Sequence, residues 1–460
     1  MNSGKAKLLE RWDKKYLWHP FTQMKEWRQN PVVVIEKGRG RYLLDTRGRR
    51  YLDGASSLWC NVHGHRVREL DKAVKKQLDR IAHSTFLGLS NVPAIELAKR
   101  LVQIAPKGLS KVFYSDSGSA SVEVALKMAY QYWRQRGFKE KTRFLKLKNA
   151  YHGDTLGSVS VGGIELFHEM FAPLLFKAYQ ADAPYRYRDS FDGSEESYAK
   201  FCADKVEKVL KEHHRKICAL IVEPLMQGAA GMLNHPKGYL SRLRRLTRQY
   251  HVLLIADEVA TGFGRTGKMF ACGHERVTPD FLCAGKGITA GYLPLSVTLT
   301  TDEIYSAFLG EYGEFKAFFH GHTYSANPLA CAAALANLEL FKKNRTLKNL
   351  RSKISVLAGE LKKIALLERV GDVRQVGFMT GIELVKDRET KEPYPLGERI
   401  GHRVILKARG KGVMVRPLGN VIVLMPPLSI REAELVRLCG VVRECIKEVT
   451  EERWQRPPSR

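Results

Sequence analysis

The chain has 460 residues, a length that predicts one large and one smaller domain rather than a single core. Of these residues, 44% are hydrophobic and 27% charged, a composition typical of a soluble globular protein. No apolar run is long enough to cross a bilayer, which excludes a membrane-spanning protein. The formal net charge of +28 would suit a nucleic acid, but acids intersperse the basic residues and no nucleic-acid recognition motif accompanies them, so a solvated basic surface is the stronger interpretation.

The N-terminal segment MNSGKAKLLERWDKKYLWHP mixes acids with bases and contains no continuous apolar stretch. It therefore predicts neither a secretory signal nor a transit peptide, and the expected location is the cytoplasm. The eight cysteines are scattered without a C-x-x-C pair, which indicates reduced thiols. The two HGH segments, at 63–65 and 320–322, have no cysteine or acid at ligand spacing, so no metal site is predicted.

Short apolar or β-branched runs predict strands, and helical patterns such as SVEVALKMAYQYWRQRG and YLSRLRRLTRQYH lie between most of them. The runs are residues 111–116, 143–153, 219–224, 252–258, 280–287 and 293–300. Strands that alternate with helices predict an α/β fold, with a mostly parallel sheet covered by helices on both faces.

Polar residues stand at the ends of these runs, and in a parallel sheet the run ends meet at one edge, where ligands bind. They are Asp116, Ser117, Tyr151, His152, Glu223, Asp257 and Lys286. So many polar residues in equivalent positions predict a functional site at that edge.

The pattern changes near residue 328, where PLACAAALANLELFKK predicts a long amphipathic helix. GFMTGIELV and GVMVRPLGNVIVLMPPL then predict antiparallel strands of a smaller α+β domain. The predicted units are an N-terminal segment, 1–65, that packs with the small domain, a large domain, 66–327, and a small domain, 328–460. The tail WQRPPSR is expected to be disordered.

Lys286 lies between glycines at the end of an apolar run. A buried lysine amine attacks carbonyls once desolvation favours its neutral form, and flanking glycines let a flat partner approach closely. Considered by itself, a loop lysine on the surface is the commoner interpretation.

Neighbouring residues suit a pyridoxal phosphate partner. Asp257 could keep the ring nitrogen protonated, and Gly118 and Ser119, at the start of a helix in YSDSGSASVEVALKM, could hold the phosphate. Tyr151 in NAYHGDT could stack on the ring, with His152 beside it. Each feature also has an ordinary alternative, as a turn residue, a helix cap or a loop aromatic.

The ordered set SDSGS, AYHGDT, VEP, ADEVATGFGRTG, CAGKGITAGYLPLS and HGHTYSANPLACAAA resembles the class-III, or ω-, aminotransferases over nearly the whole chain. The resemblance implies the fold type I of pyridoxal-phosphate enzymes, with pyridoxal 5'-phosphate as cofactor and a homodimer with shared active sites. The segments LWHPFTQM, YLDGASSLWCNVHGH and HSTFLGLSNVPAIELAKRL resemble one branch of that family, the 7,8-diaminopelargonic acid synthases of biotin synthesis.

The resemblance also implies roles at the cofactor. Lys286 would bind it covalently and then transfer protons, while Asp257 would pair with its ring nitrogen. Glu223 would support the polar network of the site, and Thr323 would reach the phosphate from the neighbouring subunit. The other implied cofactor contacts are Gly118, Ser119, Tyr151 and His152.

At the substrate, Arg416 in GVMVRPLGN would bind a carboxylate, because a guanidinium donates two parallel N–H groups, although a surface arginine is the alternative. Trp59 would form an aromatic wall of the pocket, and Arg265 would have a supporting role. The other implied substrate contacts are Phe21, Leu58, Tyr151, Lys286 and Gly321.

Two positions differ from the adenosylmethionine-using members, since Leu58 precedes Trp59 where two tryptophans are familiar and Phe21 replaces a tyrosine. Some members with related substitutions take lysine as amino donor. The implied activity is amination of 8-amino-7-oxononanoate to 7,8-diaminononanoate, with S-adenosylmethionine or lysine as donor. The alternatives are another ω-aminotransferase, acting on 4-aminobutyrate, ornithine or β-alanine, and a polyanion-binding protein suggested by the net charge.

Overall fold

The computed structural model describes residues 2–451, which form helices and strands throughout. The strands are β1 (Ile35–Arg39), β2 (Tyr42–Asp45), β3 (Arg50–Asp53), β4 (Leu109–Ser115), β5 (Arg143–Leu147), β6 (Tyr179–Ala181), β7 (Ile217–Val222), β8 (Met226–Gln227), β9 (Leu233–Asn234), β10 (Leu253–Asp257), β11 (Phe281–Ala284), β12 (Ser296–Thr301), β13 (Val370–Val376), β14 (Met379–Leu384), β15 (Val413–Met414), β16 (Arg416–Leu418) and β17 (Val421–Leu424).

The helices carry the remaining regular structure. They are α1 (Ser3–Tyr16), α2 (Met24–Gln29), α3 (Ser56–Trp59), α4 (Arg68–Leu78), α5 (Val92–Ile104), α6 (Gly118–Gln135), α7 (Leu156–Ser160), α8 (Glu165–His168), α9 (Glu195–His213), α10 (Tyr239–Gln249), α11 (Asp302–Ser306), α12 (Pro328–Lys343), α13 (Thr346–Ala365), α14 (Ile400–Gly410) and α15 (Glu432–Glu451). Short 3₁₀ helices span Glu169–Leu174, His214–Lys216, Ala271–His274, Lys286–Thr289, Tyr312–Glu314 and Leu396–Glu398.

A seven-stranded sheet has the order β4-β12-β11-β10-β7-β5-β6. The pairs β11–β10, β10–β7, β7–β5 and β5–β6 are parallel, whereas β12 is antiparallel to both of its neighbours. Leu220 and Val222 pack with α9 and α10 on one face, and Ala219 and Ile221 pack with α6 on the other. Burial on both faces explains the continuous apolar runs, and the predicted α/β fold with a mostly parallel sheet is confirmed.

The C-terminal part contains the antiparallel sheet β13-β14-β17-β16, preceded by α12 and α13. The segment 412–428 is divided between two sheets. Its first strand, β15, pairs in parallel with β3, and the chain then crosses to the antiparallel sheet as β16 and β17. The prediction of antiparallel strands was therefore wrong for β15, because the N-terminal segment offers it a strand edge that local sequence does not reveal.

The N-terminal sheet β1-β2-β3-β15 joins the first part of the chain to the last. An ion pair between Arg41 and Glu434, with Nε 2.9 Å from Oε2, spans the same junction. The domain boundaries near residues 66 and 328 stay predictions. None of the helices within residues 2–451 is long and apolar enough to cross a membrane. The predicted disordered tail, 454–460, lies outside the described residues.

Candidate active site

A cavity of about 380 Å³ lies at the carboxyl edge of the seven-stranded sheet. It lies there because β5, β7, β10 and β11 run in parallel, so the residues that end or follow these strands meet at one edge. The predicted site residues that line the cavity are Trp59, Gly118, Ser119, Tyr151, His152, Glu223, Asp257 and Lys286.

Asp257 ends β10 and is almost completely buried. Its Oδ2 lies 2.7 Å from Nδ1 of His152, and its Oδ1 accepts a hydrogen bond from the Val259 N–H at 3.0 Å. Because an ionised carboxylate only accepts hydrogen bonds, the His152 proton on this side belongs to Nδ1. Nε2 of His152 is buried and has no hydrogen-bond partner among the described residues.

Glu223 follows β7 and is held by two backbone groups. Oε1 accepts the Tyr151 N–H at 3.0 Å, and Oε2 accepts the Gly228 N–H at 2.9 Å. Burial raises the pKa of Glu223 to about 7, and the nearby Asp257 adds to the rise while His152 opposes it. The carboxyl group therefore titrates in the neutral range while its position is fixed by the main chain.

Lys286 follows β11 and adopts a left-handed backbone conformation, with φ of 41°. Its Nζ lies 5.4 Å from the ring centroid of Trp59. A Cβ atom at Gly287 would fall 2.8 Å from Cβ of Phe263, so the position after the lysine requires glycine. Burial lowers the pKa of Lys286, against the opposing charges of Asp257 and Glu223, and this increases the neutral, nucleophilic fraction of the amine.

The start of α6 forms another wall of the cavity. Ser117 caps the helix, with Oγ accepting the Ala120 N–H at 3.2 Å, and Gly118 and Ser119 supply the first helical N–H groups. A Cβ atom at Gly118 would lie 2.6 Å from Cγ1 of Val259. A helix start with close backbone access suits the binding of a phosphate.

Tyr151 supplies an aromatic ring at the cavity, and its hydroxyl donates to Oδ2 of Asp154 at 2.8 Å. Burial raises the pKa of the phenol, and Asp154 adds to the rise. The ring centroid lies 6.5 Å from that of Phe167, which in turn lies 5.5 Å from that of Phe21. Phe167 was not predicted, because its short helix α8 carries no motif.

Among the described residues, 2–451, the remaining predicted site residues do not line the cavity. Phe21, Leu58, Gly321 and Thr323 are exposed, the first two by 63% and 50%. Arg416 begins β16 and is half-buried, and its guanidinium makes no hydrogen bond or ion pair with the described residues.

Arg265 is buried beneath the site and does not line the cavity. It donates from Nη1 to the Pro426 carbonyl and from Nη2 to the Asn61 carbonyl, each at 2.7 Å. Burial lowers the pKa of Arg265 to about 10. These contacts tie the N-terminal segment to the C-terminal part of the chain.

A second group that the sequence did not predict supports the start of α6. Ser119 Oγ lies 2.8 Å from Thr155 Oγ1, which donates to Oε1 of Glu123 at 2.6 Å. The same Glu123 oxygen accepts the Gly157 N–H at 2.8 Å. Thr155 is the last residue of the AYHGDT motif, and its hydroxyl was the signal that could have indicated this contact.

Comparison with known proteins gives consistent matches. The family described as aminotransferase class-III matches residues 23–446. The adenosylmethionine-8-amino-7-oxononanoate aminotransferase of Aquifex aeolicus is 55% identical over 452 residues, covering 97% of this chain and 98% of that protein. The crystal structure of the protein of that name from Methanocaldococcus jannaschii is 52% identical, with a TM-score of 0.92 and coverage of 96% of this chain and 99% of that one. An (S)-enantioselective omega-transaminase from Thermomicrobium roseum is 35% identical, with a TM-score of 0.92 and coverage of 98% and 99%.

Proposed function

Because this chain belongs to the class-III aminotransferase family, we propose that it transfers an amino group to 8-amino-7-oxononanoate and forms 7,8-diaminononanoate, a step of biotin synthesis. The observation that carries the proposal is that Lys286, Asp257 and the start of α6 line one cavity. The names of relatives at 52% and 55% identity support S-adenosylmethionine as the donor, and lysine is the alternative donor.

Pyridoxal 5'-phosphate fits the residues present. The Lys286 amine makes no hydrogen bond with the described residues, and the lowered pKa favours its neutral form. A Cβ atom at Gly118 would collide with Val259, so glycine at this position keeps the N–H groups of the helix start accessible to a ligand. The residues that would hold the cofactor are Gly118, Ser119, Tyr151, His152, Glu223, Asp257 and Lys286, with Thr323 reaching it from a neighbouring subunit.

When bound, the cofactor supplies an electron sink for the charge left on carbon after a proton is removed. Lys286 Nζ accepts the Cα proton of the donor in the first half-reaction, and it donates a proton to the former ketone carbon of the acceptor in the second. Asp257 accepts N–H groups from Val259 and His152, which hold it in one orientation.

The substrate carboxylate binds to Arg416 in this proposal. The guanidinium has no partner among the described residues. A carboxylate that accepts two parallel N–H groups would stabilise such a half-buried cation more than a single hydrogen bond would. Trp59 packs with an apolar cluster of Met226, Met232, Met379, Val423 and Met425, which keeps water from that side of the cavity.

The active protein is a homodimer in this proposal, with Thr323 completing the site of the second subunit. Thr323 and Gly321 are exposed on this chain, as are the neighbouring large side chains of Phe319 and Tyr324. Exposed apolar groups around a predicted cofactor contact suit burial against a second copy. Sedimentation equilibrium tests the assembly.

The function is tested with purified protein, 8-amino-7-oxononanoate and each donor in turn, with 7,8-diaminononanoate measured by mass spectrometry. Product formation with either donor is expected. A second candidate, a general ω-transaminase, is favoured by the structural likeness to the Thermomicrobium roseum protein. Rapid amination of pyruvate with no conversion of 8-amino-7-oxononanoate would support that candidate instead.

A further inference from the structure

Arg374, on β13 of the C-terminal part, is only 4% exposed and uses its guanidinium in three directions. Nη1 donates to Oδ2 of Asp372 at 2.7 Å and to Oε2 of Glu383 at 2.6 Å. Nε and Nη2 both donate to the Gly231 carbonyl, at 3.2 and 2.9 Å. Two carboxylates therefore hold the arginine, and the arginine holds one backbone carbonyl.

Gly231 lies in the turn between β8 and β9, which leads back to the cavity. The N–H groups of Gly231 and Met232 donate to the Gly228 carbonyl, at 3.2 and 3.0 Å. The Gly228 N–H donates to Oε2 of Glu223 at 2.9 Å. A Cβ atom at Gly228 would lie 3.3 Å from Cζ3 of Trp59, so the turn also contacts the aromatic wall. A continuous set of hydrogen bonds thus links Arg374 to Glu223.

The turn has an unfavourable backbone and needs support from outside. Gly231 has φ of +102° and Met232 has φ of +58°, a conformation that non-glycine residues rarely adopt. Below the turn, β14 passes so closely that a Cβ atom at Gly381 would lie 2.6 Å from the Gly231 oxygen. Arg374 and Gly381 together fix the height of the turn above the C-terminal sheet.

We infer that Arg374 is a positioning residue for the active site, which fixes the 228–231 turn and through it the Glu223 carboxylate and the Trp59 ring. The inference rests on the proposed function only for the role of the cavity in transamination. In this role Arg374 connects the small C-terminal sheet to a site whose other residues mostly end or follow strands of the large sheet.

The ion pairs around Arg374 need a separate control, because Glu383 has a second arginine. Arg188 donates from Nη2 to Oε1 of Glu383 at 2.5 Å and from Nη1 to the Lys391 carbonyl at 2.5 Å, but its described hydrogen bonds do not include Gly231. Arg188→Gln therefore weakens the same carboxylate network and leaves the turn contact intact.

The test uses four variants. Arg374→Met with Glu383→Gln removes the turn contact together with the buried carboxylate partner of Arg374. The charges that then lose a partner, Asp372 and Arg188, are each more than a quarter exposed. Glu383→Gln removes the carboxylate alone. Arg374→Lys keeps a cation but lacks the fork that reaches three groups. Arg188→Gln is the matched control. Amide hydrogen exchange of the peptide covering 223–232 is measured in protein with and without cofactor, and the pH dependence of kcat/KM is measured for each variant.

The double variant is expected to exchange the Gly228 and Met232 amides at least about tenfold faster, and Arg374→Lys is expected to lie between it and the wild type. An inflection of the kcat/KM profile that arises from Glu223 should move to higher pH, because Glu223 loses the Gly228 donor that lowers its pKa. Glu383→Gln and Arg188→Gln should keep both the protection and the inflection.

The inference would be overturned if the turn amides of the double variant exchanged at wild-type rates. It would also be overturned if Arg188→Gln lost as much protection from exchange as the double variant. If the double variant does not fold, Arg374→Lys decides, since unchanged exchange in that variant also contradicts the positioning role. Hydrogen exchange does not depend on the substrate. A protein that fails to aminate 8-amino-7-oxononanoate would therefore count against the proposed function and leave this test in force.

Discussion

Nδ1 of His152 lies 2.7 Å from Oδ2 of Asp257, where both side chains are almost excluded from water. The imidazole donates to one oxygen and the Val259 N–H donates to the other, so the carboxylate has a single orientation. Each oxygen still has a lone pair, because a carboxylate has about four acceptor positions. Asp257 can therefore accept one further N–H group from a ligand in the cavity.

Asp257→Asn is expected to slow both half-reactions by about ten- to a hundredfold. An amide cannot accept from both His152 and Val259, and the loss of a charged hydrogen-bond partner is worth about 1.5–3 kcal/mol, with about 1.4 kcal/mol per tenfold change. Single-turnover kinetics with the donor and the acceptor measure the two steps separately. Unchanged rates in both would show that Asp257 acts only as a turn residue of the strand end.

Lys286→Ala is expected to fold and to bind no cofactor covalently. In the wild type, borohydride reduction followed by peptide mapping should place the pyridoxyl group on Lys286. Lys141 is an internal control, since burial lowers its pKa to about 8 but its amine donates to three carbonyls, those of His214, Ile217 and His251. An adduct on Lys141 or on any other lysine would contradict the assignment.

The run ends at the cavity were predictable from the sequence, because parallel strands bring their carboxyl ends together whatever the loops between them do. The turn of residues 228–231 and the position of Phe167 were not, since Arg374 holds the turn and Phe21 contacts Phe167 from far away in the sequence. The pairing of β15 with β3 was missed for the same reason. Local sequence patterns indicate which residues end a strand. The contacts that hold these residues in place form only in the folded chain, between segments that are distant in the sequence.

Gly118→Ala is expected to weaken cofactor binding by tenfold or more, on the order of 1.4 kcal/mol. The new Cβ would lie 2.6 Å from Cγ1 of Val259 and would push the helix start or the valine into the cavity. Val259→Ala in the same chain removes the colliding methyl groups and should recover part of the affinity. Equilibrium dialysis measures the dissociation constant. Equal affinities in the wild type and Gly118→Ala would mean that the close contact at α6 has no role in binding.

Glu434 should stabilise the fold in a pH-dependent way. Burial would raise its pKa, but hydrogen bonds from Arg41 and Arg431 outweigh burial and lower the pKa from 4.5 to about 2. Because the folded-state pKa is depressed, this stabilisation is present above pH 4.5 and is lost as the pH falls toward 2.

Glu434→Gln should accordingly lower the free energy of unfolding at pH 7 by about 1–3 kcal/mol. Its difference from the wild type should shrink between pH 4.5 and about 2. Denaturant unfolding at several pH values measures the difference. Glu432→Gln, in the same first turn of α15, is the control for loss of charge at a helix start. A difference that stays constant with pH, or that Glu432→Gln reproduces, would exclude the ion pair as its cause.

The last prediction concerns the amino donor, since the sequence resemblance implies that Phe21 and Leu58 replace a tyrosine and a tryptophan of the adenosylmethionine-using members. Phe21 is exposed and contacts Phe167, whose ring lies beside Tyr151, and Leu58 is exposed and directly precedes Trp59, which lines the cavity. A missing hydroxyl removes a hydrogen bond worth about 0.5–1.5 kcal/mol, and a missing indole removes a cation–π surface worth about 0.5–2 kcal/mol. Together they are expected to weaken the use of adenosylmethionine by roughly one to two orders of magnitude. Phe21→Tyr with Leu58→Trp should raise the ratio of kcat/KM for adenosylmethionine to that for lysine. If this double variant leaves the ratio unchanged, these two positions do not set the choice of donor.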